Sequence, residues 1–331
     1  MKVRSRSRGR NLIQLYTLLN ITRHILVRGA AAAALAVFTS CDKKPEAAPV
    51  TGSSSSGRGA STAPKVLRFS AIPNQNATEL KAKFDPIASH LSEELGVTVE
   101  FFPSADYKAS VEAFKNGQIQ LAWFGGVTGV QARAAVPGAQ AIVQGKEDPD
   151  FKSYFIAHKD TGLEKSATFP AAIGTVKFAF GSESSTSGRV MPSHFIKQNT
   201  GKGEKEFFTA PAIFSGGHDK TVEMVSTGAV QAGVCDYTVY EKMVKEGKVD
   251  PVVVKVIWVT PGFQDYNFTA HPSLETDFGA GFTDKLKGAL ISITTKAPEL
   301  LKVFPREALI EVTNKDFDTL EKLCREFGIV R

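Results

Sequence analysis

The run FAFGSESSTSGRVMPSHF, residues 178–195, holds the densest set of groups able to do chemistry. An apolar strand ends at Gly181. Ser182, Ser184, Ser185, Thr186 and Ser187 follow, and a helix is expected to begin near Gly188. Hydroxyls and unpaired backbone N–H groups gather at that helix start, and the helix dipole adds positive potential, which is the chemistry of anion binding. Capping a helix needs one hydroxyl. Five in a row, with glycines on both sides, exceed that need and point to a ligand. Four other loops offer groups of the same kind. Gly125-Gly126 in LAWFGGVTGVQAR follows one strand and opens a helix, so its backbone could approach an anion, although paired glycines also make plain tight turns. FSGGHDKTVEMV opens a helix with His218 and Asp219 in its first turn, and His218 could donate to an anion. Asp236 in AGVCDYTVYEKM closes a buried strand, where a carboxylate either caps the turn at Thr238 or accepts from a ligand. Tyr107, in Ser104-Ala105-Asp106-Tyr107, either faces a cleft or packs.

The elements that must position these loops alternate between strand and helix periods. Val66–Ile72, Val97–Phe102, Ile119–Phe124, Ala139–Gln144 and Tyr154–His158 read as strands. Helices are expected over Glu79–Leu95, stopped by Gly96, over Asp106–Asn116, and from Gly125-Gly126 to Ala135. The rhythm restarts with strands Val176–Phe180, Val230–Cys235 and Val252–Val259, and helices Ser187–Gln198, Asp219–Thr227 and Val239–Glu246. An extended stretch near Phe268–Ala270 and closing helices, including Asp316–Phe327, end the chain. This alternation predicts an α/β fold with mostly parallel sheets, in which ligands bind beyond the carboxyl ends of strands. Two runs of the rhythm predict two lobes: 66–156 plus 261–331, and 157–260.

The chain of 331 residues carries a formal charge of +6, but residues 1–40 hold seven Lys and Arg and no Asp or Glu. The body is therefore close to neutral, which gives no electrostatic reason to bind nucleic acid. Arginines ahead of the short apolar run AAAALAVF read as an export signal, too short to span a bilayer. The run ends in Phe38-Thr39-Ser40-Cys41, which resembles a lipoprotein box with Cys41 as the lipidated residue, though Phe38 replaces the usual Leu. Residues before about 20 look surplus to such a signal. Residues 42–65, rich in Ser, Gly, Ala and Pro, read as a flexible tether. Together these predict a folded body working in water on the outer side of a membrane, held there by lipid alone. Cys235 and Cys324 both lie on apolar faces and are expected to remain separate thiols.

Several motifs in this order resemble the PhnD-type phosphate, phosphite and phosphonate substrate-binding proteins of ABC importers. They are SAIP, FDPIASHLSEELG, ADYKASVEAFKNGQIQLAWFGG, GSESSTSGRVMP, FSGGHDKTVEMVSTGAVQAGVCDYTVYEKM and VIWVTPGFQDY. WFGGVTGVQAR, FGSESSTSGRVMP and TPGFQDY look most like the branch labelled selenate-binding. The resemblance implies a bilobed type II periplasmic-binding-protein fold, hinge closure on an oxyanion, a monomer, and docking on a membrane permease. Carried over by motif, Ser185, Thr186 and Ser187 would contact the anion, Tyr107 and His218 would line the cleft, and Asp236 would accept a hydrogen bond from the ligand. Gly126-Val127-Thr128 departs from the pattern, because family members commonly carry an aromatic residue there. If Asp236 points inward, a protonated phosphorus oxyanion is preferred over selenate or sulfate; if it only caps a helix, that discrimination vanishes.

Other readings compete. A hydrolase would need a nucleophile elbow, a metallohydrolase a His-Glu-x-x-His helix or Cys/His spacing, and neither occurs, so no catalytic residue, metal or cofactor is expected. A ferric site could use Tyr237, Tyr240, His218 and Asp236. A binding lobe could also serve a membrane sensor kinase instead of a transporter.

Overall fold

The structure is a computed structural model that describes residues 65–331. The leader, Cys41 and the tether lie outside the described residues. Among the described residues, eleven strands form two sheets, each flanked by helices. The first sheet takes β1 (Leu67–Ala71), β2 (Val99–Phe101), β3 (Leu121–Phe124), β4 (Gln140–Gly145), β10 (Asn267–Ala270) and β11 (Leu309–Glu311), in the order β11-β4-β10-β3-β1-β2. The second takes β5 (Ser153–His158), β6 (Phe178–Phe180), β7 (Ile213–Phe214), β8 (Ala232–Asp236) and β9 (Val254–Val259), in the order β7-β6-β8-β5-β9. Helices α1 (Ala77–Leu95), α2 (Tyr107–Lys115), α3 (Gly126–Ala135), α8 (Ser273–Phe278), α9 (Phe282–Lys296) and α10 (Asp318–Glu326) belong to the first lobe. Helices α4 (Met191–Thr200), α5 (Glu204–Phe207), α6 (His218–Ser226) and α7 (Tyr237–Lys245) belong to the second.

The expectation of mostly parallel sheets is corrected. Of the nine strand pairings, only β1–β2, β1–β3, β6–β7 and β6–β8 are parallel. Four of the five antiparallel pairs arise because the chain crosses between lobes, and the fifth joins β11 to β4. β5 enters the second sheet between β8 and β9, and β10 returns between β3 and β4, each against its neighbours' direction. β5 lies wholly in the second sheet, so the first crossing falls just before Ser153 and not after residue 156.

Local sequence explains the helix ends that set the site. Asn76 caps α1 through its side chain, which accepts from the Thr78 and Glu79 amides, and Gly96 ends it in the left-handed region with φ of 71°. Asp106 caps α2 by accepting from Ala109 N at 2.7 Å, which fixes Tyr107 as its first residue.

The two crossing segments lie side by side. Phe151 and Phe263 exchange backbone hydrogen bonds of 2.9 Å in both directions, and Asp265 N donates to Asp148 O at 3.0 Å. The buried Arg306 guanidinium donates to Asp148 at 3.0 and 2.7 Å and lies over the Phe151 and Tyr266 rings. Burial pushes the Asp148 carboxyl up to about 6 against the pull of Arg306. Burial opposes the Arg306 charge, yet Asp148 beside it raises the guanidinium above its ordinary value. Cys235 and Cys324 are buried separate thiols.

Candidate ligand-binding site

The serine run divides in two. Ser182, Glu183 and Ser184 form an outer turn reaching solvent, whereas Ser185, Thr186 and Ser187 are buried. A wide helical turn, Thr186–Val190, leads into α4, so helical backbone begins two residues before Gly188. Ser185 caps it, its Oγ accepting from Gly188 N at 2.9 Å. The amides of Thr186 and Ser187 precede the first backbone bond of the turn, as the opening positions of any helix do. Gly188 is required by packing. A Cβ there would meet Ser185 Oγ at 2.8 Å and His218 Cε1 at 2.9 Å.

His218 opens α6 and is buried. Its Nδ1 accepts from Asp236 N at 3.2 Å, which places the ring proton on Nε2. Burial holds the imidazole pKa below its ordinary value, so the ring is a neutral donor. Nε2 is buried and has no partner among the described residues. Tyr107 repeats the pattern. It is buried, its hydroxyl faces Ser185 without a hydrogen bond to any described residue, and burial pushes its pKa well up, so it stays a donor. Two buried donors without partners among the described residues thus sit against the Ser185–Ser187 turn.

Asp236 is a helix cap. Oδ1 accepts from Thr238 N at 2.7 Å and from Thr238 Oγ1 at 2.8 Å. Oδ2 accepts from Tyr266 Oη at 3.1 Å, and Tyr266 in turn accepts from Asn74 Nδ2 at 3.0 Å. The Gly125-Gly126 turn spends its amides within the protein. Gly126 N donates to Asp265 Oδ1 at 2.9 Å, and Val127 N donates to Thr186 Oγ1 at 3.0 Å. Gly125 serves by clearance, since a Cβ there would lie 3.3 Å from both Asp265 Oδ1 and Thr186 Oγ1. Asp265 was not found by sequence reasoning. It lies on the return crossing between two strands and belongs to no helix start or glycine pair, the signals that mark the other loops.

The lobes close over these groups. Besides the Val127–Thr186 bond, His218 N donates to Asn74 O at 3.1 Å. At the rim, Lys242 Nζ reaches Gln75 Oε1 at 2.9 Å and lies 3.7 Å from Glu79, and Lys248 lies 3.6 Å from Glu79. The buried Arg306 guanidinium is committed to Asp148. The site therefore offers neutral donors, not an ion pair.

The ferric constellation does not assemble. Tyr240 Oη donates to Val254 O at 2.5 Å, Tyr237 packs on Phe151 and Tyr154, and no group of three His, Cys, Asp or Glu able to hold a metal occurs among the described residues.

Comparison with known proteins gives the family. The family described as "ABC transporter, phosphonate, periplasmic substrate-binding protein" matches residues 69–317. A probable ABC transporter phosphite-binding protein, PhnD1, of Prochlorococcus marinus is 35% identical over 273 residues, covering 81% of this chain and 92% of that protein. The structure of PhnD1 in complex with methylphosphonate superposes with a TM-score of 0.76, covering 81% of this chain and 100% of that one. The phosphate-import protein PhnD of Mycolicibacterium smegmatis is 28% identical over 290 residues, covering 80% of this chain and 87% of that protein. A binding protein of a Pseudomonas aeruginosa phosphonate transporter, at 18% identity and a TM-score of 0.69, shares the fold over 79% of this chain and 86% of that one. On this coverage and identity, the chain belongs to the periplasmic phosphonate substrate-binding proteins of ABC transporters.

Proposed function

We propose that the chain captures a small phosphorus oxyanion, of the phosphite or methylphosphonate kind, between its lobes and presents it to a membrane permease. The observation that carries this reading is the pair of buried donors, Tyr107 Oη and His218 Nε2, that have no hydrogen-bond partner among the described residues and flank the Ser185–Ser187 turn. Buried polar groups are ordinarily satisfied, and two beside a helix start suit an acceptor-rich ligand. The relatives named for phosphite and phosphate import, and the PhnD1 complex with methylphosphonate, support the phosphorus class. In this reading Ser185, Thr186 and Ser187 supply amides and hydroxyls, and Tyr107 and His218 donate one hydrogen bond each. Asp236 orients His218 and keeps lone-pair capacity on Oδ2 for a ligand hydroxyl. The body is a monomer, exported, and anchored by lipid at Cys41.

Calorimetry with methylphosphonate, phosphite, phosphate, sulfate and selenate tests it. A phosphorus ligand should bind tightest, and Thr186→Ala should weaken it about tenfold to a hundredfold, since hydrogen bonds to charged ligands are worth roughly 1.5–3 kcal/mol. Selenate binding with no phosphorus ligand would overturn the choice of anion. Wild-type affinity in Thr186→Ala would overturn the site. For the anchor, Cys41→Ser should move the protein from the membrane to the soluble fraction.

A further inference from the structure

We infer that Ser153 is a positioning residue for the anion turn: its hydroxyl takes the place of an N–H that Pro192 lacks, keeps the Thr186–Val190 turn wide, and fastens that turn to the strand on which the chain enters the second lobe. The inference rests on the oxyanion reading above and deepens it. Ser153 opens β5, directly after the first crossing, and is fully buried. Its backbone is held where the chain leaves the lobe again. Ser153 N donates to Thr260 Oγ1 at 2.9 Å, and Thr260 N donates to Ser153 O at 3.1 Å. The Ser153 hydroxyl is aimed at the turn and donates to Ser187 O at 2.7 Å. In the β5–β8 ladder Ser153 stands opposite Asp236, whose N–H donates to His218. One residue therefore meets both crossings, the serine turn and the strand end that orients the histidine.

The need for this hydroxyl follows from the sequence of the turn. In an α-helix each carbonyl accepts from the N–H four residues on. Here the spacing is five: Ser185 O accepts from Val190 N at 3.0 Å, and Thr186 O accepts from Met191 N. Continued at five, Ser187 O would look to residue 192, which is proline and has no N–H. Ser187 is buried, so its carbonyl needs a donor from elsewhere. The next two carbonyls are also met from outside the helical backbone pattern, Gly188 O by Gly181 N at 2.9 Å and Arg189 O by Ser193 Oγ at 2.7 Å. A wide turn leaves one more N–H without a helical acceptor than an α-turn does, and such turns gather at functional sites. Without the Ser153 hydroxyl, the donor within reach of Ser187 O along the chain is Met191 N, four residues on, which would have to leave Thr186 O. The turn would then close to α spacing and carry Thr186 and Ser187 out of register with the cleft.

Ser153→Ala and a rescue test this. Calorimetry with methylphosphonate and phosphite should show Ser153→Ala weakening both about tenfold, while far-ultraviolet circular dichroism stays native. Adding Pro192→Ala restores an N–H five residues from Ser187 O, so the double variant should recover at least half of that loss on a logarithmic scale. Pro192→Ala alone should stay within about twofold of wild type, because Ser153 still serves the carbonyl. A general loss of core packing would not be mended by a second alanine. A crystal structure of ligand-free Ser153→Ala should show Met191 N moved from Thr186 O to Ser187 O, which reads the turn whatever the anion. Should Ser153→Ala not fold, Ser153→Cys, a weak donor of nearly the same size, should lose affinity in the same direction. Wild-type affinity in the folded variant, an unchanged wide turn in its crystal structure, or no recovery in the double variant would overturn the inference. Thr186→Ala separates the two readings. If it weakens every oxyanion while Ser153→Ala changes nothing, the site stands and the positioning role falls; if neither variant changes binding, the site reading falls and this inference with it.

Discussion

Asp265→Asn should stabilise the ligand-free protein at pH 8 and leave it nearly unchanged at pH 4. The side chain titrates from 3.8 in an unperturbed setting to about 7 in the native protein, chiefly through burial. A carboxyl with a raised folded pKa contributes stability that is fully present below its unfolded pKa and is lost as pH rises through the folded one. Ionising Asp265 above pH 7 therefore costs the native state on the order of 4 kcal/mol, an upper figure that relaxation and water entry reduce. Asparagine never ionises, and its amide oxygen can keep the Gly126 N–H bond. The variant should gain a few kcal/mol at pH 8, or several degrees in Tm for a chain of this size. Urea unfolding of both proteins at pH 4 and pH 8, without ligand, measures it. Asp148 titrates too, to about 6, so the useful quantity is the difference between proteins at each pH. An equal difference at both pH values would refute the claim that a buried, strained ionisation resides at Asp265.

Three other perturbations have defined outcomes. Gly188→Ala places a methyl 2.8 Å from Ser185 Oγ and 2.9 Å from His218 Cε1, so it should lower phosphite or methylphosphonate affinity by tenfold or more while far-ultraviolet circular dichroism stays native. Lys242→Ala removes the rim contacts to Gln75 and Glu79; it should weaken binding by up to about fivefold at low ionic strength, and the loss should shrink in 0.5 M salt, seen by repeating the titration at about that concentration. Asp148→Ala leaves Arg306 buried and unpaired and should cost about 3–5 kcal/mol in chemical unfolding, whereas Asp148→Ala with Arg306→Met should recover part of it.

Much of this architecture is legible in the chain because period and punctuation act locally. α1 announces itself through Leu80, Phe84, Ile87, Leu91 and Leu95 on one face and Gly96 at its end, and those residues are core. The buried Ser185–Ser187 turn is legible because hydroxyls between glycines mark the step from strand to helix. Strand direction is not legible, because β5 and β10 are placed by pairing with strands far away in sequence. β7 and β11, of two and three residues, are too short to show a period. Asp236 shows the limit of single residues: cap and ligand acceptor look the same in sequence, and only its bonds to Thr238 and Tyr266 show it as a cap. Asp265 is invisible for a related reason. Its consequence depends on the groups that fold around it, Asp148, Asp236, Tyr107, Gly126 and Thr186, which come from five other segments.

The bond from Val127 N to Thr186 Oγ1 joins one lobe's amide to the other lobe's hydroxyl. A hydroxyl that accepts a hydrogen bond becomes a stronger donor, so in the proposed site Thr186 would hold an anion hardest while the lobes are together. Prying them apart would withdraw the amide and weaken that donor. On the proposed function, release would then lie in the same contact as capture: a mechanical pull on the lobes would become a chemical loosening at one oxygen atom.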